Sequence, residues 1–180
     1  MTQYRKLSEK DIHPELFRDF IRRQDVTDCW RKENGRWVIK PDPFVDDWSQ
    51  EDYLTLVRCL RHTAASGGFV YAAFPSESLK GFASVEPGLF GGEQKYLELS
   101  SIHVSRDMRG QGMGRVLFRA AAEWARDMGA RKLYISAHSA VESQAFYRSL
   151  GCVEAQVYSQ EAVEKEPYDC QLEYNLQTPG

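Results

Sequence analysis

Several large classes of protein are excluded by what this chain lacks. It has four cysteines in 180 residues, Cys29, Cys59, Cys152 and Cys170. None forms a Cys-x-x-Cys pair or a Cys/His spacing suited to a metal, so reduced, mostly buried thiols of a cytosolic protein are expected, and no metal is implied. There is no basic excess: 23 Lys and Arg stand against 26 Asp and Glu, a net charge of −3, which argues against nucleic acid as a partner. No apolar run approaches the roughly 18 residues of a membrane span. Met1 to Lys10 is polar and unlike a signal peptide. No repeat or low-complexity tract appears, and no Gly-Lys-Ser/Thr of a Walker A loop. What remains is ordinary: 42% hydrophobic and 27% charged residues, enough for one domain with a sizeable core.

The informative stretch runs from Tyr96 to Met128. Leu97 and Leu99 alternate with Glu98 and Ser100, then Ile102 and Val104 alternate with His103 and Ser105. The apolar phase moves from odd to even numbers, so one extra residue near Ser100–Ser101, a β-bulge, restores a single apolar face. Such a strand can splay from its neighbour and open a crevice. Arg109-Gly110-Gln111-Gly112-Met113-Gly114-Arg115 follows and opens a helix whose stripe is Met113, Val116, Leu117, Ala120, Ala121, Trp124 and Met128, with Gly129 as its stop. Free N–H groups at the helix start, the dipole and Arg109 and Arg115 converge on one point, an anion site most naturally filled by phosphate. The dinucleotide fingerprint fails, because Arg115 stands where its third Gly belongs. A Gly-rich turn without a ligand reads equally well from these residues alone.

A second segment narrows the choice. Arg109-x-x-Gly112-x-Gly114, after a bulged strand and opening a helix, resembles the acetyl-CoA signature of the GNAT N-acetyltransferase superfamily. Glu142 to Cys152 resembles that superfamily's later helix, with the aromatic pair Phe146-Tyr147 and then Leu150-Gly151. Two positions depart from the pattern: Ala140 stands where Asn is usual, and Cys152 where Phe is usual. The resemblance covers roughly residues 69–176. It implies an α/β fold with a central mixed, largely antiparallel twisted sheet flanked by helices, its fourth strand bulged. It implies one domain over 1–180, with 1–68 forming the acceptor side and 69–176 the acetyl-CoA core. A homodimer is common for this fold, although nothing in the sequence shows one.

In chain order, a strand at Tyr4–Leu7 precedes a helix opened at Asp11–Pro14, with a stripe of Leu16, Phe17, Phe20 and Ile21. Asn34-Gly35 predicts a short hairpin, followed by an ordered loop from Pro41 to Trp48. Ser49 to Asp52 is a capping box for a helix ended by Gly67-Gly68. Strands are expected at Phe69–Phe74, Lys80–Val85, Leu133–Ala137, Cys152–Tyr158 and Tyr168–Tyr174. A helix capped at Ser139 runs to Leu150, and Glu161–Glu166 reads as a solvated loop.

The resemblance then assigns chemistry. Backbone N–H groups of Gly110, Gln111, Gly112, Met113 and Gly114 would cradle the pyrophosphate of acetyl-CoA, with Arg109 and Arg115 beside them. Ile102, His103 and Val104 would pair with pantetheine like an added strand, and a main-chain donor near Ile102 would polarise the thioester carbonyl. Tyr147 would protonate the leaving thiolate. Glu98, opposite in phase to Leu97 and Leu99, would deprotonate the amine, directly or through water. Read without the resemblance, Tyr147 is a half-buried helix aromatic and Glu98 a solvated strand acid. Trp30, Asp46, Asp47 and Trp48 are candidates for gripping an amine by cation–π contact and charge; an aromatic core with solvated acids fits them as well. The expected function is acetyl transfer from acetyl-CoA to a primary amine of a small molecule, by direct transfer in a ternary complex. A non-catalytic acyl-CoA sensor and a protein acetyltransferase are the alternatives.

Overall fold

A computed structural model describes residues 1–177. A seven-stranded sheet runs in the order β1-β4-β5-β6-β7-β9-β8. Its strands are β1 (Gln3–Lys6), β4 (Phe69–Phe74), β5 (Gly81–Val85), β6 (Tyr96–Val104), β7 (Lys132–Ala137), β8 (Val153–Glu154) and β9 (Cys170–Asn175). Every neighbouring pair is antiparallel except β6 and β7. A separate hairpin joins β2 (Arg23–Glu33) to β3 (Arg36–Asp47). The described residues also form four α-helices: α1 (Gln50–Ala65), α2 (Met113–Asp127), α3 (Val141–Ser149) and α4 (Gln160–Lys165). No helix among the described residues is long and apolar enough to cross a membrane.

The sheet buries both faces. On one, Leu97, Leu99, Leu133 and Ile135 meet Leu117, Phe118, Ala121 and Ala125 of α2. On the other, Val70, Ala72 and Phe82 meet Val57 and Leu60 of α1, with Leu7, Ile12 and Phe17 beside them. β1 pairs with β4, so the start of the chain forms an edge of the same sheet as the later strands. The bulge lies where the alternation places it: Ser84 faces Ser101 and Val85 faces Leu99, leaving Ser100 as the extra residue.

The parallel pairing of β6 and β7 is what positions the site. It covers only Tyr96–Glu98 against Lys132–Tyr134. Beyond Glu98 the bulge turns β6 away, and the facing edges of the two strands part. The backbone groups along them are left to whatever enters the gap.

Several local expectations needed correction. The helix expected after Asp11 is two short 3₁₀ turns, Glu9–Asp11 and Pro14–Phe17, because Phe17 and Phe20 turn into the core while Ile21 stays exposed. The hairpin turns at Asn34-Gly35, both at positive φ, but its strands extend to Asp47. Pro41 and Pro43 are accommodated because β3 has β2 as its single partner, and a missing N–H costs nothing on the open edge. The buried stripe of α2 is centred on Leu117, Phe118, Ala121 and Ala125, with Val116 and Met128 exposed. The Cys152–Tyr158 strand shrinks to Val153–Glu154. Glu161–Glu166 is largely the helix α4, whose N–H at Ala162 is capped by Ser159 Oγ at 3.2 Å. Ser139 does not cap α3; its hydroxyl instead accepts from Arg31 Nη1 at 2.7 Å, and Ala140 holds the cap position.

Candidate active site

The gap between β6 and β7 opens into a cleft of about 1250 Å³, bounded by the Gly-rich loop, α3, the hairpin and the start of β9. Its cofactor side is built almost entirely of backbone. Gly110 and Gly112 hold φ of +78° and +85°, and no atom lies within 4 Å of where a Cβ would sit on either. That open, left-handed geometry lets the chain enter α2 with its amides turned outward. Among the described residues, none of the backbone N–H groups from Gly110 to Arg115 donates a hydrogen bond within the protein. A row of free donors at a helix N-terminus is a strong anion site. Arg109 Nε donates to the Val104 carbonyl at 3.2 Å, tying the loop to the end of β6. Arg115 Nη2 reaches Ser149 Oγ on α3 at 3.3 Å. Gly114 lies against the Phe146 ring, where a Cβ would come within 3.1 Å, so its small size lets α2 and α3 meet.

Ile102, His103, Val104, Arg109, Gly110, Gly112, Met113, Gly114, Arg115 and Tyr147 all line this cleft; Gln111 is an exposed member of the same loop. The Tyr147 phenol makes no hydrogen bond among the described residues, while its backbone carbonyl accepts from Leu150 and Cys152. Burial, with the charges of Cys152 and Asp169 adding to it, holds its phenol well above the ordinary value, so the proton stays on. Ala140 is fully buried and bridged to Cys29 of β2, in a small cluster with Val26.

The acceptor side is made of side chains from distant segments. Arg22 is only 6% exposed. Its Nη2 pairs with Asp46 at 3.0 Å, its guanidinium stacks on Trp48 at 5.2 Å, and its Nε and Nη1 are buried without partners among the described residues. Trp48 meets His103 edge-on at 4.9 Å. Burial and the charges of Arg22 and Arg109 pull the His103 imidazole down to about 3, so it is neutral. His138 is likewise lowered, chiefly by burial, and its Nδ1 accepts from Ala140 N–H at 3.1 Å. Asp46 and Trp48 therefore line the cleft, as do Phe44, His138, Glu142, Glu166 and Asp169.

Three expected residues lie elsewhere. Trp30 packs beneath Arg148, 4.6 Å from its ring centroid, and its N–H donates to Ser139 O at 2.8 Å, anchoring the hairpin. Asp47 is exposed outside the cleft lining. Glu98 occupies the sheet face it was expected to occupy, but one step behind the opening. It pairs across to Tyr134 where the ladder is still closed, and Glu161 and Lys165 of α4 are its charged neighbours. Burial first, then Glu86, raises its carboxyl.

Asp169 was missed by the sequence reading. Burial, reinforced by Glu166, pushes it up to about 6. Its Oδ2 accepts from Ser136 Oγ at 2.9 Å, and Ser136 Oγ accepts from Gln171 Nε2 at 3.1 Å. The nearest sequence signal was the alternation of Tyr168–Tyr174, which gives a strand and no reason to single out its first acid. Among the described residues, no group of three His, Cys, Asp or Glu is placed to hold a metal ion.

A free amide row beside a splayed parallel strand pair, with a protonated phenol in the same cleft, defines a site for transferring an acyl group from a phosphate-bearing carrier. The acetyltransferase (GNAT) family model matches residues 11–152, and the chain belongs to that family of acyltransferases. A comparison with curated proteins finds no match. Among solved structures, nourseothricin acetyltransferase is similar at TM-score 0.69 and 19% identity, over 97% of this chain and 98% of that one. A streptothricin acetyltransferase homologue from Bacillus anthracis str. Ames, solved with acetyl coenzyme A, gives 0.70 and 14% over 96% of each chain. The ribosomal-protein-S18-alanine N-acetyltransferase of Escherichia coli gives 0.60 and 15%, over 100% of this chain and 97% of that one. At these identities the likeness is one of fold.

Proposed function

We propose that this protein is an acetyl-CoA-dependent N-acetyltransferase that acetylates a primary amine of a small molecule by direct transfer in a ternary complex. The observation that carries the reading is the meeting, in one cleft, of the free N–H row from Gly110 to Arg115, the open β6 edge and the Tyr147 phenol. Acetyl-CoA, when bound, supplies an activated thioester. The loop amides and Arg109 would hold its pyrophosphate, and the Ile102–Val104 edge would pair with the pantetheine amides as an added strand. A main-chain N–H near Ile102 would stabilise charge on the thioester oxygen. Tyr147 Oη holds its proton at neutral pH and would give it to the departing sulfur.

The acceptor side supports an amine of modest size. The hairpin side of the cleft carries Phe44 and Trp48, aromatic rings of the kind that attract a cation. Asp46, Glu142, Glu166 and Asp169 add negative charge along the same wall. Of the structures similar to this chain, two carry the names of antibiotic acetyltransferases and one that of a ribosomal-protein acetyltransferase.

The test is thermal melting with acetyl-CoA, CoA, ATP and NAD, followed by thiol release with nourseothricin, 1,4-diaminobutane and an alanyl peptide. Linkage predicts about 2.7 kcal/mol of stabilisation at a hundred-fold excess of a bound CoA species over its dissociation constant. Stabilisation by ATP or NAD alone would sink the reading. Thiol release with the peptide alone would replace the small-molecule acceptor by a protein.

A further inference from the structure

We propose that Asp169 is the general base, the group that takes the proton from the acceptor ammonium, with Ser136 holding its carboxylate in place. This rests on the acetyltransferase reading above. It differs from the sequence expectation, which gave the role to Glu98.

The other ionisable groups of the cleft are poorly suited to the role. Asp25 is committed to Arg23 and Arg106, both at 3.3 Å, and Asp46 to Arg22 at 3.0 Å. An acid held by a guanidinium is a poor proton acceptor, because the cation stabilises the ionised form and drops its basicity. His103 and His138 are lowered by burial, which weakens both as bases. Glu142 and Glu166 are exposed. Glu98 lies behind the opening, where β6 and β7 are still paired.

Asp169 differs on each count. It lines the cleft, is half-buried, and makes no salt bridge among the described residues. It immediately precedes β9, opposite His138, just past the last β7–β9 pair, Ala137 with Cys170. The β6–β7 edges have already separated there. Gln171 Nε2 donates to Ser136 Oγ, so the Ser136 hydroxyl proton is directed at Asp169 Oδ2. Tyr134 O–H donates to Gln171 Oε1, which fixes the orientation of that amide. The relay engages Oδ2 and leaves Oδ1 without a hydrogen-bond partner among the described residues, on a residue that lines the cleft. Charged and titratable groups around Asp169 are Glu166 on its own loop, His138 beyond β7, Tyr147 on α3 and Cys170 on β9. Arg31 and Arg148 act on Cys170 beside it. Burial and Glu166 raise its carboxyl to about 6, ionised at neutral pH yet far more basic than a surface aspartate.

The proton balance is simple. Asp169 Oδ1 accepts one proton from the ammonium, freeing the nitrogen lone pair. The N–C bond to the acetyl carbon forms and the C–S bond breaks. Tyr147 gives its proton to the sulfur and regains one from the nitrogen, which becomes the amide. Asp169 then releases its proton to solvent.

The experiment is the pH dependence of kcat/KM for Asp169→Asn and Glu98→Gln, measured with whichever of nourseothricin, 1,4-diaminobutane or the alanyl peptide is acetylated fastest. The wild type is expected to gain activity as pH rises through about 6. Asp169→Asn is expected to lose that limb and 10²–10⁴-fold in rate at pH 7, with unchanged acetyl-CoA affinity, as removal of a general base does. Melting of the same variant supplies a check on folding. A carboxyl raised by burial stabilises the fold below its unfolded pKa of ~3.9, and that stability is lost as pH rises through the folded value. Asp169→Asn should therefore melt above the wild type at pH 8 and level with it near pH 3.5. A folded Asp169→Asn that keeps the wild-type profile, or a limb lost in Glu98→Gln instead, overturns the assignment. A wild type that binds no CoA species overturns the acetyltransferase reading, and the assignment with it.

Discussion

The two walls of the cleft are built on opposite principles. The cofactor wall is Ile102 to Arg115, a single run of chain that presents backbone amides and carries its geometry in Gly110 and Gly112. The acceptor wall gathers Arg22, Asp46 and Trp48 from around the hairpin, His103 from β6, and Ser136, His138 and Asp169 from the β7–β9 end. A backbone site recognises a chemical constant, phosphate and amide, and tolerates any side chains that leave the loop open. A side-chain site recognises one particular molecule and can be rebuilt without touching the fold. The first wall is one contiguous run of sequence, and the second is assembled from several distant ones.

That contrast can be broken most severely at Gly112. Gly112→Glu places a carboxylate at the anion site and a side chain at φ +85°; calorimetry should show acetyl-CoA binding abolished. Tyr147→Phe comes next. It removes one proton from the centre of the cleft, and steady-state kinetics should show kcat lower by ten-fold or more at unchanged acetyl-CoA affinity. Trp48→Leu should sharpen the division between the walls. The ring faces Arg22 and His103, and its loss should raise the acceptor KM by up to about ten-fold while acetyl-CoA affinity holds, the scale of one cation–π contact. A parallel loss of acetyl-CoA affinity would show that the walls are not independent. Ser49→Ala is the mildest. It removes the hydroxyl that accepts from Asp52 N–H at 3.1 Å at the start of α1. It should cost about 1 kcal/mol in denaturant melts, with both substrate affinities unchanged.

Legibility in the sequence followed the same division. The bulge at Ser100 was readable because a one-residue phase slip in an alternating strand has a single geometric remedy. The Asn34-Gly35 turn and the Ser49 cap were readable because each is set by residues within four positions. The length of the hairpin was not. Pro41 and Pro43 speak against a strand, and only the open edge of β3 permits one. Trp30 and Trp48 look alike in sequence, yet one anchors the hairpin to α3 and the other lines the cleft. Glu98 and Asp169 are the clearest pair. Each is an acid on or beside a strand, and only the point at which β6 and β7 separate decides which of them lines the cleft.

The sequence by itself therefore determined the family, the sheet's central strands and the Gly-rich turn into α2, all properties of contiguous residues with characteristic periods and turns. Tertiary structure alone decided which acids and aromatics share the cleft. That depends on where two strands part and how far a hairpin reaches, and distances across the fold are not written into local sequence.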